Sequence, residues 1–225
     1  MTVSKDELLH VARNALKDHL SRPGRVLYSS HHTICPGEIY LMGLNPGGVD
    51  NGPSLAEALA PSLAREDNAY LDEVWGDYGE GEEGKAPLQQ RVQWLLGSLG
   101  LKVEDVLATN LVFMQSQNEH GITWEDANVC WPVHEALLSI VKPRLILAFG
   151  NSGFSPYAYI HSRFGGEQRY APAGHGVWNF KGFHASIAGR KVFVAGIPHL
   201  SRYNPIGKQH LIDWINSEGN RCLES

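Results

Sequence analysis

Apolar residues recur along this chain in two rhythms, one of about 3.6 residues and one of short unbroken runs, and the two alternate. Lys5 to Leu20 (KDELLHVARNALKDHL) carries its apolar positions at helical spacing, with Ser4 as N-cap and Pro23-Gly24 as a stop. EIYLMGL reads as a buried strand, and Pro53 to Ala64 as a helical segment interrupted by Pro61. Helix resumes over Pro87 to Leu99 (PLQQRVQWLLGSL). A second strand, VLATNLVFM, spans Val106 to Met114, and a helix over Thr123 to Val141 bends or restarts at Pro132. RLILAFG gives a third strand, NSGFSPYAYIHSRF a broken helix, and VWNFKGFHASI a strand or hairpin arm. RKVFVAGI is the last core strand, and NPIGKQHLIDWINS closes the chain as a helix with Asn204 as N-cap and Pro205 in its first turn. Strands alternating with helices predict an α/β fold, a three-layer sandwich around a mainly parallel sheet of about four strands. No internal repeat is visible.

With 225 residues and 43% hydrophobic content, the chain can bury a sizeable core as one domain over 1–225. It has no apolar run of bilayer length and no basic-then-apolar leader at MTVSKDELLH, so a cytoplasmic protein is expected. Cys35, Cys130 and Cys222 stand singly, which points to free thiols rather than a disulfide framework. His31, His32 and Cys35 lack a second ligand pair, so a structural role is expected of them and no metal site is assigned. Trp94, Trp124, Trp131 and Trp214 read as core.

The net charge of −5 argues at first against a nucleic-acid partner. The distribution changes that picture. Eight of the 24 acids lie between Arg65 and Lys85, in an acidic, Gly-rich loop, leaving 16 against 19 basic residues in the remainder. Tyr70, Leu71, Val74 and Trp75 suggest that the first half of this loop packs against the body.

Two segments far apart in the chain each follow a strand directly: GLNPGG, Gly43 to Gly48, and HLSRYNP, His199 to Pro205. In an open parallel sheet both emerge at the carboxyl edge, where ligands bind, and so form one candidate site. Alone, each has a plain explanation. Pro46-Gly47 suits a type II turn, and a histidine after a strand is commonly a surface residue. There is no Walker A sequence, no dinucleotide GxGxxG and no GxSxG nucleophile elbow.

Taken in order, a strand ending in GLNPG, a strand bearing an Asn (ATNLVFM), the strand PRLILAFGNSG and a final strand ending in HLSRYNP resemble the uracil-DNA glycosylase superfamily. The resemblance runs from about Glu38 to about Trp214, and the motifs are similar to those of the single-strand-selective monofunctional and mismatch-specific branches. It implies hydrolysis of the N-glycosidic bond of uracil or a related deaminated base in DNA, in base excision repair, with no metal or organic cofactor. Such cleavage needs a positioned water, stabilisation of an oxocarbenium-like sugar and stabilisation of charge on the departing base. Asn45 then holds the water and His199 donates to the leaving base. Gly43, Leu44, Pro46, Gly47, Asn110 and Phe113 form the base pocket, Asn110 matching O4 and N3–H of uracil. Ser201, Arg202, Tyr203 and Asn204 contact DNA, Tyr203 as the wedge that fills the stack behind a flipped nucleotide.

The chain departs from the family pattern in two places. The aromatic that stacks on the flipped base about a dozen residues beyond the first motif is absent, where Leu55, Ala56, Leu59 and Ala60 stand instead. Tyr70, Trp75 and Phe113 are the candidates to replace it. The two prolines of the family's HPSP loop are Leu200 and Arg202 here. These departures define the alternative, a catalytically weak or inactive module of the same fold that binds nucleic acid or a nucleobase.

Overall fold

The computed structural model describes residues 4–48, 52–76, 81–117 and 121–220. The fold is α/β, with six strands in one mixed sheet and six α-helices among the described residues. The strands are β1 (Ile39–Gly43), β2 (Leu107–Asn110), β3 (Leu145–Phe149), β4 (Arg169–Pro172), β5 (Asn179–Ile187) and β6 (Arg190–Ile197). The helices are α1 (Lys5–Ala15), α2 (Leu55–Ser62), α3 (Pro87–Ser98), α4 (Trp124–Val141), α5 (Pro156–Phe164) and α6 (Gln209–Asn220).

Strand order is β2-β1-β3-β6-β5-β4. The first four are parallel, whereas β5 runs antiparallel to β6 and β4 antiparallel to β5. The sheet is therefore not the four-stranded one expected from the sequence. The four expected strands form its parallel part, and a hairpin extends it by two. β4 escaped notice because it is four residues long, ends in Pro172 and alternates half-buried with exposed positions, leaving no apolar run to read.

Side chains alternate between two cores across the parallel strands. Tyr40, Met42, Ile146, Ala148, Val192 and Val194 pack with α1, α2, α4 and α5. Ile39, Leu41, Leu145, Leu147, Phe193 and Ala195 pack with α3 and α6. Burial on both faces explains why these strands read as unbroken apolar runs.

Helix ends follow local chemistry. Ser4 and Ser54 cap α1 and α2 in reciprocal boxes with Glu7 and Glu57. α1 stops at Ala15, and Lys17–His19 continues as a 3-10 turn in place of the longer helix. Pro61 lies in the last turns of α2 and does not interrupt it, and α4 runs through Pro132 unbroken, since Trp131 and Val133 on either side are held in the core. Asn204 does not cap the final helix, which begins at Gln209; its Oδ1 accepts from the Ile206 amide (3.2 Å). Cys35 is exposed and Cys130 buried, both free thiols, and Cys222 lies outside the described residues. No helix among the described residues is long and apolar enough to cross a membrane.

Candidate functional site

The four parallel strands end level with one another. Gly43 pairs with Asn110, Met42 with Ala148 and Phe149 with Ile197, so the loops that follow all open at the same sheet edge. Between them lies a cleft of about 1310 Å³. Of the residues singled out in the sequence, Leu44, Asn45, Gly47, Asn110, His199, Ser201 and Arg202 line it, as do Tyr70 and Trp75.

Gly43, assigned to the base pocket from the sequence, does not itself line the cleft but lies buried beneath its floor, which it shapes by having no side chain. A Cβ there would lie 2.1 Å from Asn110 Oδ1 and 2.6 Å from Phe149 Cζ, so only glycine lets these two side chains approach across β1. Asn110 is almost fully buried, with its side chain facing the Tyr28 hydroxyl. Burial pushes the Tyr28 phenol up to about 12, against the opposing charge of Arg25, so the hydroxyl stays protonated. The floor thus offers a carboxamide, a hydroxyl and an aromatic ring.

Asn45 Nδ2 donates to the carbonyls of Pro46 (2.8 Å) and Ser116 (3.4 Å). With its donors turned to the backbone, the side chain presents Oδ1 as an acceptor. Across the cleft, His199 follows β6 and packs edge-on to Phe149, with ring centroids 5.6 Å apart. The Ser201 amide donates to His199 Nδ1 (3.2 Å) and Ser201 Oγ lies 2.7 Å from the same atom. An amide can only donate, so Nδ1 is the acceptor and a neutral imidazole carries its proton on Nε2.

The loop bearing His199 is held by burial and hydrogen bonds, with Leu200 and Arg202 where prolines could have stiffened it. Leu200 and Tyr203 are fully buried, the Arg202 and Tyr203 amides both donate to His199 O (2.9 Å), and Arg91 of α3 donates to the carbonyls of Leu200 (2.5 Å) and Ser201 (3.0 Å).

Four further sequence-based assignments fall elsewhere. Tyr203 is not a wedge in this structure: its ring has no solvent exposure, its hydroxyl donates to Ala173 O (2.8 Å), and burial pushes the phenol up to about 12. Phe113 is a core residue against His134, with centroids 4.9 Å apart, because the chain turns inward after β2 ends at Asn110. Asn204 is exposed and does not line the cleft. Pro46 lines an adjoining pocket of about 560 Å³, which shares Arg25, Tyr28, Gly47, Glu73 and Gln115 with the main cleft.

The sequence reading missed Tyr28, Arg91, Gln115, Ser116 and Phe149, all of which line the cleft. Phe149 had a usable signal, since it ends a strand immediately before GNSG just as Gly43 ends one before LNPGG. In GNSG itself, Asn151 Nδ2 donates to the carbonyls of Asn179 (2.9 Å) and Gly196 (2.8 Å), and Ser155 caps α5.

One cleft wall is an ion-paired aromatic cluster. Glu73 accepts from Arg25 through both oxygens, from Arg65 (2.8 Å) and from Trp75 Nε1 (2.9 Å). Burial, the largest single influence, would raise its carboxyl, but the Arg25 hydrogen bonds, the Arg25 charge and the Trp75 hydrogen bond together outweigh it and hold the group below the usual carboxylate range. Tyr28 packs against Tyr70 and Trp75 at 6.0 and 6.1 Å, with Arg25 over its ring at 4.6 Å. The first half of the acidic segment is therefore folded onto the body, while residues 77–80 lie outside the described residues. His31, His32 and Glu66, rather than Cys35, bring ligand-type atoms within 4.8 Å of one another. Their contacts are accounted for by His31 Nδ1 with Arg65 O (2.9 Å) and His32 Nε2 with Glu66 (2.8 Å), and none lines the cleft.

No protein-family model matches this chain, and no curated protein matches it significantly.

Proposed function

We propose that this protein is a monofunctional DNA glycosylase, with a three-layer α/β/α sandwich of the uracil-DNA glycosylase type, that hydrolyses the N-glycosidic bond of uracil or a related deaminated base. The observation that carries the reading is the pairing of Asn45 and His199 at one cleft, one after β1 and the other after β6, with Asn110, Tyr28 and Phe149 among its lining residues. The base stacks against Phe149, replacing the family aromatic that the sequence lacks. Asn110 and the Tyr28 hydroxyl supply the mixed donors and acceptors that an adjacent N–H and C=O require.

Asn45 Oδ1 accepts from a water on the sugar face opposite the base. As the C1′–N bond breaks, its electron pair passes to the base, and the Nε2–H of neutral His199 donates to the base carbonyl where negative charge grows. The water oxygen bonds to the cationic C1′ and then loses its proton to solvent; an amide is no base, so Asn45 positions rather than deprotonates. Ser201 and Arg202, both exposed at the rim, suit phosphate contacts.

The test is incubation with end-labelled oligonucleotides bearing uracil, hypoxanthine or xanthine, followed by alkali. Abasic-site cleavage on at least one is expected. Asn45→Ala and His199→Ala should each slow single-turnover excision by roughly 100-fold or more with DNA affinity nearly intact, as when a transition-state hydrogen bond is lost. Tight binding to DNA or to a free base with no cleavage on any substrate would establish the non-catalytic module instead.

A further inference from the structure

Burial of Tyr203 leaves the proposed glycosylase without the side chain expected to fill a base stack. The antiparallel hairpin supplies another. β6 runs toward the cleft edge, so β5 starts there and β4 ends there, with Pro172 opposite Asn179. The loop joining them, Ala173 to Trp178, therefore emerges at the same edge as His199.

Three contacts bind this loop to the His199 loop. Tyr203, whose amide donates to His199 O, donates through its hydroxyl to Ala173 O, and Lys208 Nζ donates to the carbonyls of Ala173 (3.4 Å) and Gly174 (3.1 Å). Within the loop the Ala173 amide donates to Trp178 O (2.8 Å) and the Trp178 amide to His175 O (3.1 Å). Gly174 and Gly176 turn the chain at φ 65° and 53°, a region L side chains avoid. This braced turn holds its apolar side chains outward. Val177 is 91% exposed and Trp178 36%, with Ile206 at 44% in the segment after Tyr203. Val177 and Trp178 lie side by side at the sheet edge where the cleft opens and offer an apolar partner a contact.

The charge around it says what. From Gln168 through Ile212 the sequence contains no Asp or Glu, and Lys181, Arg202 and Lys208 lie in the segments at this end of the sheet. Apolar wedges flanked by cations are the means by which proteins open stacked bases while holding the phosphates.

We propose that the Val177–Trp178 tip is the stacking wedge of this protein, inserting into duplex DNA beside the nucleotide drawn into the cleft. The inference rests on the glycosylase reading but predicts a property of its own. A wedge matters only where a stack must be opened, so it acts on duplex and not on single strands. Because hydrogen bonds already hold the turn, less order is lost on insertion than for an unbonded loop.

The experiment uses the full chain with Val177→Gly and Trp178→Ala combined, and a stable tetrahydrofuran abasic analogue flanked by 2-aminopurine. Wild type should bind the duplex and raise 2-aminopurine fluorescence through unstacking. The double variant should lose that rise and bind the duplex about tenfold or more weakly, while its affinity for the single-stranded form stays within about twofold, which also reports that the protein is folded. Equal duplex affinity and fluorescence in both proteins would overturn the wedge alone, as would a parallel loss on both DNA forms. Wild type that neither binds the duplex nor excises a base would overturn the wedge together with the glycosylase reading.

Discussion

At Gly43 one added methyl group would meet Asn110 and Phe149 at once, whereas at Gly47 a Cβ meets nothing within 4 Å. Gly43→Ala should therefore push both side chains off the floor, costing about 1–3 kcal/mol of stability as overpacking does and, on the proposed glycosylase reading, lowering excision more than about tenfold. Gly47→Ala should leave stability unchanged. Urea unfolding and single-turnover kinetics on the two variants check this, and equal behaviour would show that the floor tolerates Cβ. The contrast also shows what a residue-level reading of sequence can reach. Asn45, Asn110 and His199 were legible because polar residues at strand ends are out of place in a run of apolar ones. Tyr28 was not, since it lies in an irregular stretch with no period. Tyr203 misled because its place in HLSRYNP says nothing about which way its ring points, and Ala173 O and Lys208 decide that.

Among the elements, α4 carries a titrating lock. His134 is fully buried, with Nε2 at 3.0 Å from Leu111 O and Nδ1 at 2.8 Å from the Tyr40 hydroxyl, itself 2.9 Å from Thr109 Oγ1. Burial drops its pKa from 6.5 to about 4, against the opposing pull of the Leu111 and Asn110 backbone. The folded state thus refuses a proton that the unfolded chain accepts. The stability it contributes is complete above about pH 6.5 and is lost as pH falls toward 4, roughly 3 kcal/mol in all. Glu73 adds a loss of the same sign beginning below its ordinary 4.5, because its carboxyl is held low in the fold. Urea unfolding across pH 4–7 should show a slope that His134→Gln markedly reduces above pH 5, a remainder coming from His31, whose imidazole burial and the neighbouring His32 also hold low. A variant that kept the slope would move its origin to another group. Element type was legible wherever an apolar period was long. Boundaries were not: β2 stops at Asn110, and the Leu111 and Val112 amides go on to bond Gly43 and Leu44 carbonyls (2.8 and 2.9 Å) outside strand geometry, a continuation fixed by the neighbouring strand β1 and the residue after it.

For the whole molecule, charge is divided between an acid-rich segment and an acid-free one. Glu66 and Glu73 of the acidic segment are engaged with His32 and with Arg25 and Arg65, while Glu82 and Glu83 are exposed. On the proposed reading, changing Asp77, Glu80, Glu82 and Glu83 to Ser should tighten DNA binding and steepen its salt dependence, most visibly at low ionic strength where charges are felt beyond ~10 Å. Salt titrations on one abasic oligonucleotide would show it; superimposed curves would put the segment off the DNA path. At this scale the parallel half of the sheet was legible, and of the hairpin half β5 was read as a strand or hairpin arm while β4 was not. Parallel strands buried on both faces leave continuous apolar runs, but an edge hairpin owes its place to pairing with β6, which composition does not record.

The carboxylate of Glu73 has a consequence for direction. An arginine already bound through both of its terminal nitrogens has no fork left for a phosphate, so the Arg25 wall is electrically spent. Opposite it, Arg202 stands exposed at the rim. On the proposed reading, DNA crossing this mouth would meet one side that ignores its backbone and another that grips it. If DNA does bind there, the cleft has a handedness, and a strand threaded through it would lie with its sugar–phosphate ribbon along only one bank.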